Sequence, residues 1–524
     1  MFNRLLSNKF LFWLIFVITF LIGLHITIMK IYGYDFSRMS GDMGDSRFIN
    51  TVLEHGYQWL CGNADGFWNG NFMYPEKSTI TFSDNLIGNL PFYSIFRVIG
   101  LNEHSAFQGW LISVVFLNFA CGFYAFRYFT QSKWQALLAA FLFTFSMALI
   151  SQYFHIQMAV RFMVPLFFVF SHKYFDTGKN KFLFLAALSF VFQFYLSMYL
   201  GFFLLFCGAI YIAALFVLKI KKLKFDKNFF IGWSLAFLAT GVLLLPLVWP
   251  YAERAKTTPF TPYDQVVPTI PTIWSYFRPF WDARIWPTFE FDTAGNPYSW
   301  LHLLFPGGLL MYCVILLPVT LYRKREKELL WFAVVGFIIC FCFLRIGNFS
   351  AFEYISKLPG MGSLRMVTRV INILIFFFVI IFIYTTRSLF SSTWQVKNVF
   401  YFCLFMFLAV YDNKSSLKDF KKFTKYESLA RVRGIENEVR QKSAGGKYKA
   451  FAILSTTKDD GYYNAWQIDA MLASYRLKMK TVNAYTSFSP SEFGSFWWQH
   501  NQASLNDWLR FKGADSSQVL VIYR

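Results

Sequence analysis

Two aspartates, Asp42 and Asp45, stand three residues apart between glycines in the segment YGYDFSRMSGDMGDSRF. The glycines let the backbone turn both carboxylates to one face of a tight turn or a nascent helix. A carboxylate held close to apolar surroundings gains affinity for protons, so the pair suits removal of a proton from an attacking hydroxyl, or metal-assisted work of the same kind. A solvated loop accounts for the same residues without chemistry. Far along the chain, Arg365 and Arg369 in LPGMGSLRMVTR are four apart, which on a helix puts both on one face. Forked guanidinium groups hold a phosphate at two points, so this pair is the preferred phosphate site, with Arg345 as a third candidate.

Further polar residues stand in short loops between apolar runs. His155 and Gln157 lie in YFHIQMAVR. A protonated histidine there binds phosphate and a neutral one hydrogen-bonds a sugar, while an interfacial polar role fits equally. Arg161, a turn further on, reads as a side chain snorkelling to lipid headgroups. Asp84, in FSDNLIGNLP, precedes the apolar residues 86–99 and is expected to cap a helix there, with orientation of an acceptor or metal as the other role. The aromatic segments WSYFRPFWDARIW, NAYTSFSP and FWWQH offer ring faces that stack on sugars, although membrane anchoring and core packing explain them as well.

The elements that position these residues follow from composition. Hydrophobic residues make 56% of the 524 and charged ones only 15%, too apolar a balance for a soluble chain of this size. The net charge of +21 is spread in short clusters between apolar runs, a pattern of membrane topology that speaks against nucleic acid as a partner. Of the seven cysteines all but Cys61 lie inside apolar runs, forming neither a disulfide framework nor a metal-binding pair. The chain lacks a Gly-rich phosphate loop, which argues against nucleotide hydrolysis.

About 20 apolar residues cross a hydrocarbon core of roughly 30 Å. Spans are expected over residues 10–29, 105–126, 134–150, 162–174, 229–249, 300–322, 329–344, 370–386 and 393–410, while 182–218 is too long for one helix and folds back near YLSMYLG. The total is about eleven. Residues 10–29 lack a small-x-small cleavage site and read as a retained first span. Arg4, Lys9, Lys133, Lys179, Lys181, KIKKLKFDK, RKREKE, Arg387 and Lys397 fall on one side, which the positive-inside rule makes the cytoplasm. The N-terminus is then cytoplasmic, and loops 31–104 and 250–299 lie outside with the tail. Residues 86–99, holding Pro91 and Arg97, are too short to cross and read as an interfacial or re-entrant helix within the first outer loop. The tail carries strand-like AFAIL and VLVIY around a helix-like AWQIDAMLASYRL. The expected fold class is an α-helical polytopic membrane protein over residues 1–411 with a small C-terminal α/β domain over 412–524.

A short basic N-terminus, one span, a long outer loop with acidic residues directly after it, WNGNFMYPEKSTITFSDNLIGNLPFY closing that loop, and LPGMGSLRMVTR ahead of a late span together resemble the GT-C superfamily of membrane glycosyltransferases. The combination is also similar to the bacterial branch that decorates cell-wall polymers and lipids. The resemblance covers nearly the whole chain as architecture, through short motifs. It implies a GT-C-like bundle in a bacterial cytoplasmic membrane, a polyprenyl-phosphate-sugar donor, and a glycan, lipid or protein acceptor reached from the outer face. It also implies a catalytic acid in the first outer loop, which gives the base role to Asp45 or Asp42. Relatives carry adjacent acids or an acid-x-acid triplet, and the spacing of three here leaves the choice between the two open. Asp84, His155, Gln157, Arg365 and Arg369 are then the expected substrate-binding residues, in an inverting transfer. No cofactor is required by the pattern, and a divalent cation is compatible with it. The alternative is a transporter or flippase for a lipid-linked glycan, which would place charges and broken helices at mid-membrane depth.

Overall fold

A computed structural model describes residues 9–41, 43–258, 261–287, 296–390, 395–415, 417, 420, 422–446, 448–454 and 463–524. Apolar runs become helices because a chain in lipid must satisfy its backbone polar groups internally. The first half supplies α1 (Lys9–Ile26), α2 (Asp45–Leu60), α3 (Leu90–Val98), α4 (Glu103–Phe129), α5 (Lys133–Phe145), α6 (Met163–Thr177), α7 (Asn180–Leu196), α8 (Met198–Lys219) and α9 (Lys227–Ala255). The second half adds α10 (Gly308–Ile315), α11 (Leu317–Lys324), α12 (Lys327–Cys342), α13 (Ile371–Thr386) and α14 (Gln395–Asp412). Among the described residues five helices are long and apolar enough to cross a membrane: Lys9–Ile26, Glu103–Phe129, Met198–Lys222, Lys227–Ala255 and Val367–Leu389.

Helix α13 is the axis of the bundle, buried almost throughout. Phe376 on it stacks on Phe168 of α6, with ring centres 4.6 Å apart, and on Phe126 of α4 at 5.6 Å. Offset rings of this kind fill a helix interface densely. Helix α9, by contrast, is mostly exposed along its length and faces outward.

The run 182–218 does fold back, and the break is a single extended residue, Ser197. Here Asp84 departs from expectation. It does not cap the helix that follows it in sequence; its Oδ1 accepts from Met198 N at 2.9 Å and its Oδ2 from Ser197 Oγ at 2.8 Å, so it caps α8. Four backbone N–H groups at a helix start need such an acceptor, and the break leaves none locally. Gly88 makes this approach feasible: a Cβ there would lie 2.8 Å from the carbonyl carbon of Tyr195. Asn89 Nδ2 completes the join by donating to Leu196 O at 2.7 Å. Helix α3, nine residues long, exposes Ile95 and Val98 on one side. At about 1.5 Å per residue it cannot cross a bilayer.

The stretch 300–322 is not one span. Residues Ser299–His302 form a single 3-10 turn, the α-helix begins only at Gly308, and it breaks at Leu316 before Pro318. Proline lacks the N–H that would continue the ladder.

The tail holds α15 (Lys425–Lys442), α16 (Tyr463–Leu477), α17 (Gln502–Phe511) and a parallel sheet in which Ala450–Leu454 lies between Lys480–Thr481 and Val519–Tyr523. It is sewn to the first loop. Arg38–Ser40 pairs antiparallel with Lys422–Thr424, and Tyr74 N donates to Thr481 O at 2.9 Å. Arg47, wholly buried on α2, forms an ion pair with Asp469 of α16, whose other oxygen takes Arg431 Nε at 2.7 Å. Loop and tail therefore form one packed body over one end of the bundle, which we call the tail end.

Candidate active site

Asp45 is the first residue of α2, where the helix dipole favours a negative charge. Its Oδ2 lies 2.7 Å from His155 Nδ1, and its Oδ1 accepts from the Tyr485 hydroxyl. His155 sits between two 3-10 turns, Ser151–Phe154 and Ile156–Ala159, with its ring 5.5 Å from the Trp300 ring in a stacked arrangement. Burial pushes the Asp45 carboxyl up, but His155, Tyr485 and the positive charge of Arg369 outweigh it and hold the group at about 2. Asp45 is thus an anion at any physiological pH. With 34% of its side chain accessible, a substrate can still reach it.

Arg369 approaches the same point from the start of the axial segment. Its guanidinium lies 4.7 Å from the centre of the Tyr199 ring, itself anchored because the Tyr199 hydroxyl accepts from Met366 N. It feels both Asp45 and Asp84, forms an ion pair with neither, and its Nε has no hydrogen-bond partner among the described residues. Burial, offset by N–H donors from Met198 and Ser197's hydroxyl, pushes the Asp84 carboxyl up.

The two arginines do not share a helical face. Gly360, at φ 79°, turns the chain into the 3-10 turn Met361–Ser363; residues 364–366 lie outside any helix, and the α-helix starts only at Ile371. Arg365 is consequently turned to the tail, donating from Nη1 to Ser487 O at 3.1 Å and lying 4.6 Å from the Phe488 ring. Arg161 does not snorkel. It is fully buried and donates to Phe143 O at 3.3 Å and Thr144 O at 3.0 Å, the last carbonyls of α5. A cation there complements the negative end of the helix.

Gln157 follows His155 in the turn Ile156–Ala159, with a buried Oε1 that has no partner among the described residues. Arg345 lies in a small hairpin with Phe349–Ser350, and no described contact ties it to Asp45, His155 or Arg369. Asp42 lies outside the described residues. Among those described, no three His, Cys, Asp or Glu side chains gather to hold a metal ion; Asp45 alone offers a carboxylate at this point.

Tyr485, Tyr199 and Trp300 lie beside these residues; the sequence offers Tyr485 only as part of a sugar-stacking or core segment, and singles out neither Tyr199 nor Trp300. For Tyr485 a signal existed, since NAYTSFSP is an aromatic, polar segment in the tail. Nothing in the local pattern ties it to a residue 440 positions earlier.

No family model matches this chain, and no curated protein does. Solved structures do. The apo crystal structure of the Archaeoglobus fulgidus oligosaccharyltransferase superposes with a TM-score of 0.50 at 12% identity, over 97% of this chain and 69% of that one. The fold is of the GT-C type. The A. fulgidus enzyme AglB in complex with an inhibitory peptide and a dolichol-phosphate gives 0.49, also at 12% identity and with the same coverage. At such identity the shared property is the fold alone; residues are compared through geometry.

Proposed function

We propose that this chain is a membrane glycosyltransferase that moves a sugar from a polyprenyl-phosphate donor to a hydroxyl of a glycan, lipid or protein acceptor at the tail end of the bundle. The observation that carries the proposal is the contact of Asp45 with His155 at 2.7 Å, beside an arginine that has no carboxylate partner among the described residues. An aspartate held at about 2 is a weak base. It is well suited to hold an imidazole, His155 Nδ1 lying 2.7 Å from its Oδ2. The acceptor hydroxyl gives its proton to the Asp45–His155 pair while its oxygen attacks the anomeric carbon from the face opposite the phosphate. The anomeric C–O bond breaks, its electron pair leaves on the polyprenyl phosphate, and the configuration inverts. Arg369 meets the charge that develops on the leaving oxygen. Asp42 remains a second acid for the same loop, and Trp300 offers a ring beside the sugar.

Support also comes from the fold, which this chain shares with an archaeal oligosaccharyltransferase. The segregation of basic turns to the far end supports an orientation with the tail end outside a bacterial cytoplasmic membrane and the N-terminus inside. The decisive experiment supplies a polyprenyl-phosphate sugar to membranes carrying the full-length protein. Transfer by the wild type and none by Asp45→Asn, with equal insertion of both, supports the proposal. Equal transfer by both sinks it. Reporter fusions after Asn102 and Asn413 should report outside and one after Gly178 inside; a cytoplasmic Asn413 would remove the site from the outer face.

A further inference from the structure

At the end of the bundle opposite the tail, α1, α4 and α6 enclose a groove of about 480 Å³, a volume usual for sites that take small molecules. Its wall is aromatic. Trp13 packs against Phe16 at 5.3 Å between ring centres, and Phe16 against Phe123 at 5.3 Å. Trp13 and Tyr124 remain 53% and 48% exposed, so the wall is open to whatever surrounds the bundle. Around a span as apolar as α1, that surrounding is lipid.

The mouth of the groove is cationic. Lys173 of α6 lies 4.8 Å from the centre of the Tyr124 ring and 5.2 Å from that of Tyr128, with its ammonium donating to Tyr124 Oη at 3.3 Å. Arg127 lines the same groove one turn beyond Phe123, and its charge acts on Lys133 at the start of α5. Lys133 in turn lies over the Phe12 ring at 4.5 Å. None of the three cations pairs with a carboxylate among the described residues. The nearby acid, Asp176, is already held by Lys219, Lys222 and the Tyr128 hydroxyl. Two such charges in the mouth of an aromatic trough, with Lys133 on the neighbouring Phe12, are complementary to an amphiphile with an anionic head.

We propose that this groove binds one anionic phospholipid of the surrounding bilayer, its phosphate against Lys173 and Arg127 and an acyl chain along Trp13, Phe16 and Phe123. The site is separate from Asp45 and does not depend on the activity proposed above. Amphiphile and surface both belong to the membrane, so the occupant needs no soluble route. A headgroup phosphate seated between α4 and α6 would also clamp the two helices that pack on the axial helix.

Native mass spectrometry of the full-length protein, released from mixed phosphatidylglycerol and phosphatidylcholine, tests this. The wild type should retain one phosphatidylglycerol in preference to phosphatidylcholine. Replacing both cations, Lys173→Gln with Arg127→Gln, should weaken retention about tenfold or more. The charge-keeping pair Lys173→Arg and Arg127→Lys should retain it, which separates loss of charge from loss of fold. Lys221→Gln, an exposed lysine of the next basic turn outside the groove, should leave retention unchanged. Equal retention of the two lipids, unaltered retention in the double glutamine variant, or an equal loss in Lys221→Gln would each overturn the assignment. Preferential retention of polyprenyl phosphate over phosphatidylglycerol would overturn it as well, by naming a different occupant.

Discussion

At the basic-turn end of the bundle, Lys219 Nζ lies 2.6 Å from both Asp176 Oδ1 and His172 Nε2, and 3.8 Å from Glu328. Tyr384 donates to the other Glu328 oxygen at 2.7 Å, and Tyr128 to Asp176. At the tail end, Arg369 has an aromatic ring beneath it and, among the described residues, no acid in reach of an ion pair, and Asp45 keeps a third of its surface open. Both clusters hold charge among apolar helices, yet only the one around Lys219 closes it upon itself. A network whose members satisfy one another fixes helix positions and has little left to offer a ligand. A site that retains unmatched charge carries a desolvation cost that binding of the complementary group relieves. Function is therefore to be sought where the pairing is incomplete.

The largest effect that would sharpen this contrast is at the Asp45–His155 pair. His155→Gln should lower transfer by about 10²–10⁴-fold. Asp45→Asn should do the same, and the double variant should be no worse than either, because the two act as a unit. Additive losses in a transfer assay would show two independent roles and break the dyad. Next in size, Lys219→Met removes the buried cation that Asp176 and Glu328 share and leaves Asp176 paired with Lys222 alone, which should cost about 1–3 kcal/mol. Thermal unfolding of the purified protein should show the loss, with transfer at permissive temperature nearly intact; a selective loss of transfer would make the basic-turn end part of the chemistry. Arg369→Lys keeps the charge but not the fork, so transfer should fall about 10²-fold without a change in stability.

The smallest effect concerns acid. Burial holds His55 and His500, both in the loop and tail body, at about 4. Below their ordinary value the unfolded chain takes up protons that the folded chain refuses, so stability contributed by the neutral rings is full above about pH 6.5. It is lost as pH falls towards 4. Asp45 stays ionised across this window, so its charge does not change there. Melting curves from pH 7 to 4 should show the loop and tail body loosening by a few degrees, and His500→Gln should flatten part of that slope.

Most helices are legible because lipid imposes a length and a hydropathy that short windows capture, and the fold-back near Ser197 follows from a run too long for one crossing, whereas the breaks within 300–322 do not show in hydropathy. What was not legible lies in tertiary contacts. Asp84 was placed correctly as a cap and given the wrong helix, since its partner Met198 is 114 residues away. Arg365 and Arg369 were put on one face by a helical period that a 3-10 turn and the extended residues beside it do not follow. Arg161 looked like a headgroup anchor because nothing in YFHIQMAVR reveals the carbonyls of α5 that it meets. Asp45 and His155 were both picked out by residue type and place, but no spacing rule joins an acid and a histidine 110 residues apart.

The union of first loop and tail also fixes a schedule. Arg47 waits 422 residues for Asp469, and Asp45 waits 440 for Tyr485. At about 5–20 residues per second, a ribosome needs roughly 20–90 s to make up the difference. Through that interval Arg47 lacks Asp469 and Asp45 lacks Tyr485. The contacts that hold the first loop in place are thus made only once the 422–524 stretch has been synthesised.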